Sequence, residues 1–196
     1  MAHYKKIGFF KRLLSESIPF VARSPEMKLD WLVGVIKKKS LTCAEISPYI
    51  SLLLSEYQEV LQYSLEEIDG AQSFAGLFEN IARPILRKMI MCTDVYDIPV
   101  LLELLPELDV EDAVVILRKK PPPYEKKPQI IVDKLFQAVF DKTSEKLLEN
   151  AAQDIMTSED IPLHFVDSYK RFKEMREDEQ VLSSLFPQAT GQIRME

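Results

Sequence analysis

Residues 118–128 read Arg118-Lys-Lys-Pro-Pro-Pro-Tyr-Glu-Lys-Lys-Pro128, and no other interruption of this length and kind divides the chain. Three consecutive prolines lack N–H donors and have a fixed φ, so they suit neither a helix interior nor a central strand. They favour an extended polyproline II segment. Arg118, Lys119, Lys120, Lys126 and Lys127 surround them, and unpaired charges are costly to bury. The stretch is therefore expected to form a stiff, exposed, basic connector from which Tyr124 projects. The blocks on both sides are apolar at helical spacing, which makes the chain two helical halves meeting at this connector.

Downstream, residues 129–140 place Ile130, Ile131, Leu135, Phe136, Val139 and Phe140 as a helix interior. Residues 144–156 carry Leu147/Leu148, Ala151/Ala152 and Ile155/Met156 at four-residue spacing, as in a helix packed on two neighbours. Asp160-Ile-Pro162 is expected to open a helix bearing Phe165, Val166, Tyr169, Phe172 and Met175. A polar tail follows from Pro187.

Upstream, Asp97-Ile-Pro99 and Asp109-Val-Glu-Asp112 open two short apolar helices. Residues 74–91 read as a helix that Pro84 should kink or split. Thr42-Cys-Ala-Glu45 and Ser64-Leu-Glu-Glu67 match capping boxes, and Ser47-Pro48 is expected to restart a helix over 49–63. Ser24-Pro25-Glu26 starts a helix with Leu29, Leu32, Val33 and Ile36 on its apolar face. It ends at Lys37-Lys38-Lys39, where positive charge suits the helix dipole. In residues 4–17, Ile7, Phe10 and Leu14 lie on one face of a first helix.

The expected fold is all-α, an irregular multi-helix bundle or short helical solenoid of eight to ten helices. Its parts are an N-terminal half over 1–117, the connector over 118–128, a C-terminal half over 129–186 packed on the first, and the tail over 187–196. No repeat of 30–50 residues is visible, so the two Asp-Ile-Pro triplets are read as shared helix-start chemistry.

Hydrophobic residues make up 46% of the 196 and charged residues 29%, a globular composition and not a disordered one. Only 5 Gly stand against 12 Pro, which favours helices over hairpins. No apolar run approaches the roughly 20 residues of a membrane-spanning helix, and no signal peptide is expected. Cys43 and Cys92 read as two lone thiols in the core, without a basic partner nearby in sequence. An intracellular location, cytoplasmic or nuclear, is expected from them. The net charge of −6 is unevenly distributed: nine basic and three acidic residues give +6 over 1–40, while three basic and fourteen acidic give −11 over 41–117.

Enzyme chemistry finds little footing. There is no Gly-rich phosphate loop, paired-cysteine motif, His-Glu-x-x-His or Gly-x-Ser-x-Gly. No catalytic, cofactor-binding or metal residues are assigned, and no cofactor is expected. His164, with Asp160 four before it and Asp167 three after, is the one spacing that could bring a histidine and carboxylates to one helix face. A surface histidine between solvating carboxylates is the plainer reading. The acidic stretch 94–112 lacks the alternating ligands and Gly of a calcium loop and is explained by capping.

Pro121-Pro122-Pro123-Tyr124 resembles the Pro-Pro-x-Tyr ligands of WW domains, including those that recruit ubiquitin ligases of the HECT type. The resemblance covers four residues and implies a partner, not a fold. Its physics is that a preformed polyproline helix loses little entropy on docking into an aromatic-lined groove; the plainer reading is a rigid spacer with Tyr124 tucked against a helix. The expected function is that of a non-enzymatic interaction, scaffold or adaptor protein that binds protein partners through helical grooves and this ligand. The alternative is a peripheral membrane- or nucleic-acid-binding protein. It would use Lys5, Lys6, Lys11 and Arg12 of the first helix together with Lys37, Lys38 and Lys39. An enzyme ranks third.

Overall fold

Capping chemistry sets most helix starts. Ser24 Oγ accepts from the Met27 N–H at 3.4 Å, ahead of Pro25. Asp109 and Asp112 form a reciprocal capping box, each carboxylate accepting from the other's backbone N–H, at 2.8 and 3.3 Å. Ser144 Oγ accepts from the Leu147 N–H. Glu45 accepts from the Thr42 N–H and hydroxyl at 2.8 and 2.7 Å, making half a box, because that hydroxyl donates to the carboxylate.

The computed structural model describes residues 19–38, 41–63, 76–162 and 164–185. After a short 3₁₀ turn at Phe20–Ala22 come α1 (Pro25–Lys38), α2 (Cys43–Tyr63), α3 (Arg83–Cys92) and α4 (Ile98–Leu104). Then come α5 (Val110–Leu117), α6 (Pro128–Lys142), α7 (Glu145–Met156) and α8 (Phe165–Leu185). The fold is all-α, with no strand among the described residues. The expected helix at 4–17, the capping box at 64–67 and the tail from 187 lie outside them.

Two prolines inside expected helices have different outcomes. Ser47-Pro48 restarts nothing: Pro48 sits inside a continuous α2. Its missing N–H orphans only the Ala44 carbonyl, and both residues are exposed. The expected helix over 74–91 is split, as the proline allowed, but ahead of Pro84 and not at a kink. Residues 77–80 form a turn, and Pro84 lies in the first turn of α3, where a proline needs no N–H partner.

Each helix packs on the one two positions along. One row runs α1–α3–α5–α7 and the other α2–α4–α6–α8. The α1–α2, α2–α3, α5–α6 and α6–α7 contacts join the rows. This is the stacking of a short solenoid, built without a sequence repeat. Core side chains such as Leu32, Ile50, Met89, Ile116, Phe136 and Ile155 belong to one continuous cluster that runs through both halves. The residues before and after the connector therefore share a core.

Polar groups pin the stack. Lys28 is buried at 1% exposure, pairs with Glu56 and stands over the Phe20 ring. Phe20, Trp31 and Tyr49 meet edge to face, with centroids 4.7–5.1 Å apart. Arg83 and Arg87 of α3 hold Asp109 and the fully buried Asp112, and Arg87 also reaches Glu111. The capping box that starts α5 thereby docks it on α3.

Candidate partner-binding site

The connector leaves the end of α5 and returns at the start of α6, two helices that pack on each other. It is tied at both ends. At its base, Arg118 donates to the Asp160 carbonyl at 3.2 Å and to Ser158 Oγ at 2.6 Å. Lys119 Nζ donates to the Met91 and Thr93 carbonyls at 3.2 and 2.7 Å, among the last carbonyls of α3. These carbonyls lack intrahelical donors, so an ammonium is a natural cap. At the far end, Tyr96 donates to Glu125 Oε2 at 2.7 Å, and Glu125 Oε1 accepts from the Lys127 N–H at 3.0 Å.

Lys119 is therefore not the fully exposed residue expected. Its stem crosses the surface to reach the end of α3, and its charged head donates to two backbone carbonyls there. Burial pushes its pKa down to about 8, against the opposing pull of Asp94. The hydrogen bond to Glu125 is the main reason the Tyr96 hydroxyl is pushed up to about 12. The Lys127 N–H and the Tyr96 hydroxyl hold Glu125 below the usual carboxylate range.

The prolines do not stay extended throughout. The Glu125 N–H donates to the Pro122 carbonyl at 2.9 Å, closing a turn with Pro123 and Tyr124 at its centre. Proline is well suited to the second position of such a turn. Pro121 and Pro122 are half-buried and Pro123 is exposed. Tyr124 is 79% exposed at the tip. It is not tucked against a helix.

The other sequence candidates are more scattered. Lys37 and Lys38 are exposed at the end of α1; Lys5, Lys6, Lys11, Arg12 and Lys39 lie outside the described residues. Asp160-Ile-Pro162 does not start a helix. The segment runs irregularly into a turn in which the Phe165 N–H donates to the Pro162 carbonyl, and His164 adopts φ 70°. His164 and Asp160 thus precede α8 and share no helix face with Asp167. Among the described residues no group of three His, Cys, Asp or Glu is placed to hold a metal ion, and no helix is long and apolar enough to cross a membrane.

Cys43 and Cys92 are not lone thiols. They form a disulfide, Cα–Cα 4.6 Å, between the first turn of α2 and the last residue of α3. Their 49-residue separation hid the pairing. The available signal was positional: one cysteine opens a helix, the other closes the next long one, and antiparallel packing brings such ends together. The bond removes the free-thiol argument for a reducing compartment. It also borders the connector: Cys43, Cys92, Thr93, Asp94, Lys119, Lys120 and Pro122 line a surface cavity of about 330 Å³.

Comparison with protein-family models, curated proteins and solved structures gives no match.

Proposed function

We propose that the protein is a non-enzymatic interaction protein that presents Pro121-Pro122-Pro123-Tyr124 to a partner with an aromatic-lined, WW-type groove. Tyr124 carries the reading. A tyrosine usually hides its ring, yet this one is 79% exposed, at the tip of a turn whose two ends are hydrogen-bonded to the helical stack. A backbone anchored this way gives up little conformational entropy when the connector docks. Pro121 and Pro122, half-buried, lead into the turn, and grooves of this type read a polyproline segment.

An intracellular location is part of this proposal; it rests on the WW-type partner and no longer on the cysteines, which are paired. The test is capture of purified WW domains by the immobilised full chain, wild type beside Tyr124→Ala. Capture by the wild type alone supports the reading. Equal capture by both, or by neither, overturns it.

The alternative, an anionic-surface binder, has the exposed Lys37 and Lys38 in its favour. A salt series on anionic liposomes and on RNA or DNA tests it, because phosphate-driven binding weakens steeply as salt rises.

A further inference from the structure

We infer that the cavity over the Cys43–Cys92 bond is a thiol–disulfide exchange site, in which a small thiol of the glutathione class attacks Cys43 Sγ and Cys92 departs as the thiolate. The inference does not depend on the partner-binding reading.

Access selects the sulfur that is attacked. Both cysteines line the cavity, but Cys92 is 3% exposed whereas Cys43 is half-buried in the first turn of α2. A thiolate arriving through the cavity meets Cys43 first. The S43–S92 bond breaks as the bond from Cys43 to the incoming sulfur forms, and Cys92 Sγ takes the electron pair.

Cys92 ends α3, where the helix dipole disfavours an anion. The compensating charge is Lys119, whose ammonium is held by the Met91 and Thr93 carbonyls beside Cys92 and lines the same cavity. Lys120 adds to it and Asp94 opposes it. The proton lost by the incoming thiol ends on Cys92, through solvent or through the Lys119 ammonium, whose lowered pKa makes it a ready donor. The product is a mixed disulfide at Cys43 and a free Cys92 thiol.

A second thiol then attacks the sulfur of the small partner and expels Cys43 as the thiolate. Here the first turn of a 21-residue helix favours the anion. The Glu45 carboxylate opposes it, although its lone pairs are engaged by Thr42. The net change is one disulfide reduced to two thiols and two small thiols oxidised to one disulfide.

The experiment treats the oxidised, folded full chain with reduced glutathione at neutral pH, without denaturant, quenches with acid and maps adducts by peptide mass spectrometry. A transient glutathionyl adduct on the Cys43 peptide, followed by full reduction, is expected. Lys119→Met should slow adduct formation on the order of tenfold through the poorer leaving group, and Lys119→Arg should restore it. Circular dichroism and the melting midpoint of each variant separate a slowed exchange from a damaged fold. The inference is overturned if the bond reacts only after denaturant is added, if the adduct forms on Cys92, or if Lys119→Met reacts at the wild-type rate in a folded chain.

Discussion

Reducing the Cys43–Cys92 bond should destabilise the protein without changing its fold. The bond closes a loop across a 49-residue separation. Loop-closure entropy for this length corresponds to about 4 kcal/mol, between the values for 15- and 100-residue loops. Most of it acts on the unfolded chain, and α2 and α3 pack on each other in the folded one. For a chain of this size, about 4 kcal/mol corresponds to a fall of roughly 8–16 °C in melting midpoint. The assay is urea and thermal unfolding of the oxidised chain beside the dithiothreitol-reduced chain, with helicity followed by circular dichroism. Cys43→Ala/Cys92→Ala in the absence of reductant serves as a second arm. Native helicity should be unchanged while the midpoints fall. Equal midpoints for the oxidised and reduced chains would refute the reasoning.

Other outcomes are expected. Tyr124→Ala should change stability by no more than about 0.5 kcal/mol in urea unfolding, because the ring is at the surface. Asp112→Ala should cost about 2–3 kcal/mol by the same measurement, since it removes a buried carboxylate that caps α5 and meets Arg83 and Arg87. Raising the pH from about 7.5 to 9.5 should stabilise the protein. Lys119 has a folded pKa near 8, below its ordinary 10.5, so the unfolded chain binds more protons in this window and stability climbs with pH. Lys119→Met should flatten that slope in urea midpoints measured across the window.

What was legible in the sequence was local. Ser24, Asp109 and Ser144 start helices because each cap needs only a backbone N–H two or three residues ahead. The apolar spacing of 129–140 and 144–156 gave most of the buried faces of α6 and α7, but Ile130 and Met156, expected inward, are exposed, and Val132 is buried in addition. What was missed depends on distant partners. Asp160-Ile-Pro162 failed to repeat the helix start of Asp97-Ile-Pro99 because Arg118, 42 residues away, holds the Asp160 carbonyl outside any helix. Lys119 is only half-exposed because the carbonyls ending α3 lie within reach of its stem. Cys43 found Cys92 because the two rows of helices stack, and no local pattern encodes that stacking. Tyr124 was anticipated as projecting, yet the turn that presents it is also tied by the Tyr96–Glu125 bond, again from a separate part of the chain.

The most direct test of the claim that the fold presents Pro121–Tyr124 compares two ligands for one WW domain by titration calorimetry: the full chain and a free peptide of residues 118–128. The account predicts that the full chain binds at least as tightly as the peptide, with a smaller entropic penalty, because the connector is already anchored. A peptide that binds while the full chain does not would contradict it, and would mean that the helical stack withholds the motif.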